Sequence, residues 1–433
     1  MSFTAFFGFR RIKLMNLKQF YKQTYAQRLT ILKKQLNLTA DDEAIIADEN
    51  TTQGDQIIEN YLMDFPISEG VAVNFVINGE EKVVPMVTEE PSVIAAASNG
   101  AKIMAIDGGI QTKITDRLMM GQVLMANVHD SEKLAQLLRE NENKILQTAN
   151  DAHPSIVKRG GGAKKIRVRK LDHQFVSLDI FIGTKEAMGA NMINAMLEGV
   201  SNFLHLELGQ TSLMAILSNL SDECLATATC RIPMTALATK QFDGDEIANR
   251  IVMASEAAQV DPYRATTHNK GIMNGVDAVV MASGNDWRSI ESSAHAYAAR
   301  DGQYRGLSRW QIEDKFLVGS LTLPLPVGFV GGSIKINRKA QLNHRLMQVK
   351  TAKELEEVIV SVGLAQNLAA LKALVSEGIQ RGHMHLQAKS LLLANGATAA
   401  ELAEAQLRLE KAPVIDEQTA RQILKRLRGE SNE

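Results

Sequence analysis

Cysteine is nearly missing from these 433 residues: Cys224 and Cys230 are the whole supply. Two thiols cannot build a disulfide framework and lack the close pairs of a zinc site. Neither covalent staples nor a bound metal is expected, and a reducing, cytoplasmic setting fits. Aromatics are scarce, at 5% with two tryptophans, whereas eighteen methionines point to an adaptable core. Neither sign of charge dominates, because 48 Lys and Arg face 49 Asp and Glu for a formal net charge of -1. Such a balance offers no global attraction to nucleic acid or to a membrane surface, so any phosphate-binding charge must be local. No apolar run approaches the roughly 20 residues that span a bilayer. No GxGxxG follows a strand and no GxxxxGKS/T loop occurs, which excludes the Rossmann and P-loop solutions.

The length suits two or three domains. Residues 1–15, MSFTAFFGFRRIKLM, place charges after aromatics, the reverse of a secretory signal; they read as a disordered leader, with Met15 as the natural start. Residues 16–60 look helical and amphipathic, with Tyr21, Leu29, Ile31, Leu32 and Leu36 on apolar stripes. Asn78-Gly79 between two apolar runs predicts a β-hairpin. A helix over 93–106 follows, with Pro91 suited to its first turn and Glu89 and Glu90 either capping it or presenting a carboxylic acid to a substrate.

From about residue 113 the texture changes. The pattern gives a strand at 119–128, a helix at 131–149, a Gly160-Gly161-Gly162 turn, and strands around Ile166 and over 176–182. The turn lies in a basic stretch of Lys158, Arg159, Lys164, Lys165, Arg167 and Arg169. That is either a solvated strand face or, beside three glycines, a place for phosphates. Residues 186–191 open a helix to about Leu204, and helix starts are anion sites. The mixed order predicts a small antiparallel α/β sandwich inserted between two parts of a larger domain.

The densest chemistry lies in 261–297. Arg264, His268, Asn269, Lys270 and Asn274 crowd together, the run 276–282 reads as a buried strand or helix core, and Ser283-Gly284-Asn285-Asp286 turns polar again. Lys270 and Asp286 are the candidate reactive pair, although a lysine and an aspartate at such spacing are ordinarily solvated. Thr351 with Glu354 caps a helix through Val362, Gly363 separates it from a helix at 364–376, and Thr398 with Glu401 caps another. Glycines bracket His383, which permits the C-terminal residues to act as a lid.

Eight segments in order carry a resemblance: VPMVTEEPSVIAAAS (84–98), EAMGANMINAMLE (186–198), ILSNLSD (216–222), DPYRATTHNKGIMNG (261–275), SGNDWRSIESSAHAYA (283–298), PLPVGFVGG (324–332), VGLAQNL (362–368) and EGIQRGHM (377–384). Together they resemble the hydroxymethylglutaryl-coenzyme A reductases of the bacterial class II type. The resemblance implies an α+β fold. A large substrate domain (1–115 and 222–378) would be interrupted by a small ferredoxin-like cofactor domain (116–221) and followed by a C-terminal helical flap (379–433).

It also implies a reaction, the reduction of a thioester to a primary alcohol by two hydrides from a nicotinamide cofactor, giving mevalonate and free coenzyme A. Lys270 would stabilise the oxyanion, Glu90 donate a proton, Asp286 tune the pair and His383 protonate the coenzyme A thiolate. Ser92, Arg264 and Asn274 would hold the hydroxymethylglutaryl group and Gln366 would contact coenzyme A. Glu186, Met188, Asn191 and Asn219 would contact the nicotinamide cofactor, in a homodimer whose site crosses the subunit interface. Where NADH-preferring relatives carry an acid before the glycine triplet this chain has His153, with Lys158 and Arg159 beyond. NADPH is therefore expected over NADH.

Three departures accompany the likeness. The family's ENxIG is Glu59-Asn60-Tyr61-Leu62-Met63, its DAMGAN begins with Glu186, and its LHAR is Leu386-Gln387-Ala388-Lys389. They leave open a second reading, a coenzyme A-binding homologue with weakened turnover. Reduction of a different acyl-coenzyme A is a third, disfavoured because Arg264 calls for an anionic acyl chain.

Overall fold

The computed structural model describes residues 17, 19–172, 174–376 and 388–429, Ser333 by its backbone alone. The leader and His383 lie outside the described residues. The chain divides into two compact units, Met1–Ser68 and Glu69–Glu433.

The first unit carries helices Tyr25–Leu36, Ala40–Asp48 and Thr52–Ile57. Capping boxes at Thr24 with Gln27 and Thr39 with Asp42 start the first two. The expected apolar stripe is not what the unit buries, since Tyr21 is 68% and Leu36 49% exposed. Buried instead is Arg28, bound to the Asp55 carboxylate and, at 2.8 Å, to the Gln23 carbonyl. Tyr61, in the altered 59–63 motif, is also interior: its hydroxyl accepts from Thr51 N at 3.0 Å, and its ring lies where a side chain on Gly54 would go.

The second unit has ten strands among the described residues: β1 (Glu69–Ile77), β2 (Glu80–Val87), β3 (Ile110–Ile114), β4 (Leu118–Met125), β5 (Gly162–Lys170), β6 (Val176–Gly183), β7 (Met214–Leu217), β8 (Leu225–Pro233), β9 (Ser308–Glu313) and β10 (Phe316–Pro324). Six form one sheet in the order β2-β1-β3-β8-β10-β9, and four form another in the order β5-β6-β4-β7. The β1–β2 hairpin turns at Asn78 and Gly79, both with positive φ (51° and 84°), as a tight primed turn needs.

The smaller sheet is antiparallel, with helices between β4 and β5 and between β6 and β7; this is the ferredoxin-like order. The helix expected over 131–149 is two, Ser131–Glu140 and Glu142–Ala152, broken at Asn141. Leu138, Ile145, Leu178, Ile193 and Leu197 fill a core of its own.

Two long helices cross the larger core. The apolar run 276–282 is the last third of one helix, Pro262–Ala282, which passes through Gly271 and Gly275 without interruption. The helices expected on either side of Gly363 are likewise one, Ala352–Val375. Gly363 is there for contact: a Cβ would sit 2.9 Å from Leu321 and Val276 side-chain atoms. This helix is long and apolar enough by composition to cross a membrane, which the sequence reading missed, yet 72% of its apolar window is buried inside the protein as in a core helix.

At the junction of the two sheets Arg117 leaves and Cys224 returns. The Arg117 Nε donates to Glu356 Oε1 at 2.5 Å and its Nη2 to the Val327 carbonyl; Cys224 Sγ lies 3.8 Å from the same Glu356 oxygen. Glu356 is wholly buried, and burial pushes its carboxyl up to about 7 even against the pull of Arg117.

Candidate functional site

Asp261 starts the helix Pro262–Ala282, accepting from Tyr263 N (3.0 Å) and Arg264 N (3.3 Å), with Pro262 in the first turn. The helix then sorts the crowded polar residues by face. His268 and Asn269 point inward. His268 Nε2 meets Ser308 Oγ at 2.7 Å, while Asn269 donates to the Arg305 carbonyl at 2.9 Å and accepts from Leu307 N at 2.9 Å. These two are fold residues.

Burial, with nearby Arg264 second, lowers the His268 pKa from 6.5 to about 4. The unfolded chain therefore takes up this proton first as pH falls. The contribution of His268 to stability is full above pH 6.5 and declines toward pH 4, by up to about 3 kcal/mol. Urea unfolding at pH 7 and pH 4.5 should show a loss that His268→Gln reduces. Equal losses in both proteins would contradict this origin.

Lys270 and Asn274, one turn apart, face the opposite way and meet Glu90. Lys270 Nζ lies 2.6 Å from Glu90 Oε2, and Asn274 Nδ2 donates to the same oxygen at 3.3 Å. Glu90 is no helix cap: helix Val93–Met104 has no acidic group in its first turn. The carboxylate is thrown outward by the turn before that helix, where Ser92 takes a φ of 78° that a non-glycine residue adopts at a cost.

The pair is reachable, with 61% of the Lys270 and 34% of the Glu90 side chain exposed. Arg264 is half-buried on a neighbouring face of the helix. Gln366 packs behind Gly275, where a Cβ would lie 3.1 Å from its own Cβ; it is 5% exposed and its Oε1 has no partner among the described residues. One turn beyond Asn274, burial and the neighbouring Glu291 push the Asp277 carboxyl up to about 9, and Glu291 pairs with His295 at 2.5 Å.

Asp286 does not join the pair within the chain. It caps the helix Trp287–Ala298, accepting from Arg288 N (3.1 Å) and Ser289 N (3.3 Å). The twelve residues from Lys270 to Ala282 amount to about 18 Å of helix. Around Asp286 lie instead the residues expected to serve a cofactor. Ser289 Oγ donates to Asn219 Oδ1 at 3.0 Å, and the backbone of Met188 lies against Gly328, which the side chain of Asn285 holds.

Glu186 directs its carboxylate to the start of a core helix, Oε2 accepting from Ala352 N at 2.6 Å. Asn191 is exposed in the first turn of helix Ala190–Leu208. That helix begins at Gly189, with a φ of 87°, no side-chain cap and no acidic group in its first turn. Beside Gly189, Thr184 is 1% exposed with no partner for its hydroxyl among the described residues.

The basic stretch divides too. Arg167 and Arg169 are spent on buried Asp179, at 3.0 and 2.5 Å, and Lys165 on Glu223 at 2.6 Å. His153 and Arg159 converge on Ser155 Oγ, at 3.2 and 3.4 Å, beside the glycine turn. Among the described residues no group of three metal-binding side chains is assembled.

The model of the hydroxymethylglutaryl-coenzyme A reductase family matches residues 24–388. The 3-hydroxy-3-methylglutaryl-coenzyme A reductase of Archaeoglobus fulgidus is 36% identical over 426 residues, 97% of this chain and 96% of the relative. A probable enzyme of that name from Borreliella burgdorferi is 34% identical over 78% of this chain and 77% of its own. Among solved structures, the class II 3-hydroxy-3-methylglutaryl-CoA reductase of Streptococcus pneumoniae bound to NADPH in open conformations is 45% identical. It covers 94% of this chain and 100% of its own, with a TM-score of 0.74.

Proposed function

The chain belongs to the hydroxymethylglutaryl-coenzyme A reductase family, and from that premise we propose that it reduces 3-hydroxy-3-methylglutaryl-coenzyme A to mevalonate and free coenzyme A with NADPH. The observation that carries the reading is the Lys270–Glu90 pair, an ammonium and a carboxyl 2.6 Å apart at an accessible surface. The reaction breaks one C–S bond and adds two hydrides and two protons, and at each hydride addition negative charge builds on the former carbonyl oxygen. Lys270 meets that charge, and Glu90 gives the alcohol its proton. Asn274 donates to the Glu90 oxygen that Lys270 meets, Arg264 and Ser92 bind the acyl chain, and Gln366 Oε1, without a partner among the described residues, takes an amide hydrogen of coenzyme A. His383 protonates the departing thiolate and the segment 379–433 serves as the flap.

NADPH supplies both hydrides when bound. Segment 116–221 is its domain. The uncapped start of helix Ala190–Leu208, beside the Thr184 hydroxyl that has no partner among the described residues, suits a pyrophosphate, and His153 with Arg159 suits a 2′-phosphate. Glu186, Met188, Asn191 and Asn219 border the nicotinamide. Because Asp286 stands with these residues and more than three helical turns of chain separate it from its own Lys270, it tunes the Lys270–Glu90 pair of a second copy. The complete site thus needs a homodimer.

Stoichiometry tests the chemistry. With purified protein and 3-hydroxy-3-methylglutaryl-coenzyme A, two NADPH are oxidised per thiol released, and NADPH is used faster than NADH. One NADPH per thiol would mean the reduction stops at the aldehyde; none would leave only a coenzyme A-binding role.

A further inference from the structure

We infer that Asn285 is a positioning residue whose side-chain amide holds the cofactor loop at 186–188 in register with Asp286. This deepens the proposed function and rests on it for the identity of the loop. Asn285 Oδ1 accepts from Gly328 N at 2.7 Å while its Nδ2 donates to Gly328 O at 3.0 Å and to Ser283 Oγ at 2.9 Å. One planar amide thus pairs both backbone groups of a single residue, as a neighbouring strand would, and sets both distance and angle.

Gly328 passes the constraint on. A Cβ there would lie 2.9 Å from Met188 N, so the two backbones touch directly. The next two residues, Phe329 and Val330, donate their N–H groups to the Glu186 carbonyl at 2.8 and 3.1 Å. Glu186 is in turn anchored through its carboxylate to Ala352 N at 2.6 Å. Between Asp286 and the cofactor loop there is consequently one short side chain and a run of backbone contacts. Asn285 is covalently adjacent to the carboxylate it registers.

The test uses full-length Asn285→Ala and Asn285→Asp, the second of which keeps an acceptor for Gly328 N–H and guards against loss of folding. Hydrogen exchange at the Phe329 and Val330 amides should rise about tenfold or more, with the β8–β10 ladder unchanged. NADPH affinity, read from the fluorescence of the bound nucleotide, should fall about tenfold with 3-hydroxy-3-methylglutaryl-coenzyme A affinity unaltered. A merely structural role would weaken both ligands together or neither. Wild-type exchange at those amides, or equal loss of both affinities, overturns the inference. A wild-type chain that fails to bind NADPH counts against the proposed function, and the exchange result still decides whether Asn285 forms the clasp.

Discussion

Lys270→Ala is expected to lower turnover by roughly 10²–10³-fold, the scale on which removal of a preorganised oxyanion partner acts. The lysine stands on the exposed face of a helix whose buried face is made by His268, Asn269, Ile272 and Met273, so its loss should leave the fold intact. Thermal unfolding within about 2 °C of wild type would show this, since one surface side chain is worth only a few tenths of a kcal/mol. Glu90 loses its 2.6 Å partner and keeps Asn274. Substrate affinity should change far less than turnover, because the ammonium is needed most where charge develops. A variant with near wild-type turnover would remove Lys270 from the chemistry.

The largest expected effect on stability lies at the junction of the sheets. Glu356→Ala strips the partner from a guanidinium with 6% of its side chain exposed, which should cost about 3–5 kcal/mol. The arginine Nη1 already has no partner among the described residues, so nothing nearby stands ready to replace the carboxylate. Removing both charges should differ: Arg117→Met with Glu356→Leu should recover most of the loss, since a buried ion pair is often matched by apolar residues of similar volume. Urea midpoints read both. If the double variant were as unstable as the single one, the Arg117 contact to the Val327 carbonyl, and not the charge pair, would be what holds the junction.

Much of this was legible in the residues, for physical reasons that differ by place. Asn78-Gly79 announced its hairpin because positive φ at two successive positions admits few other pairs. The small sheet was readable because β4 and β6 are apolar strands bounded by turns. Where glycine was taken as a boundary the sequence misled: Gly363 sits inside a helix because Leu321 and Val276 press against it, a tertiary fact that local propensity does not carry. The basic stretch around the glycine triplet overstated its free charge, since Asp179 sits on a different strand and only folding shows that it claims two arginines.

At the site, Lys270, Asn274 and Glu90 could be listed from motifs, but 180 residues separate Lys270 from Glu90 and pairing them needed the fold. The partition of Asp286 away from Lys270 was hidden for the opposite reason. Nearness in sequence suggested nearness in space, whereas a rigid helix holds the two apart. Asn285 was in plain view beside Asp286 and went unchosen, because an asparagine after glycine reads first as a turn residue.

Mixing two defective proteins tests that partition most directly. Lys270→Ala and Asp286→Ala, each nearly inactive alone, are to be unfolded together, refolded at equal amounts and assayed for NADPH oxidation. If the lysine of one copy works with the aspartate of the other, half of the dimers are mixed and each has one intact site. Activity should then return to about a quarter of wild type. Recovery absent from a mixture shown to contain mixed dimers would mean that both groups serve one chain's site, contrary to the arrangement described.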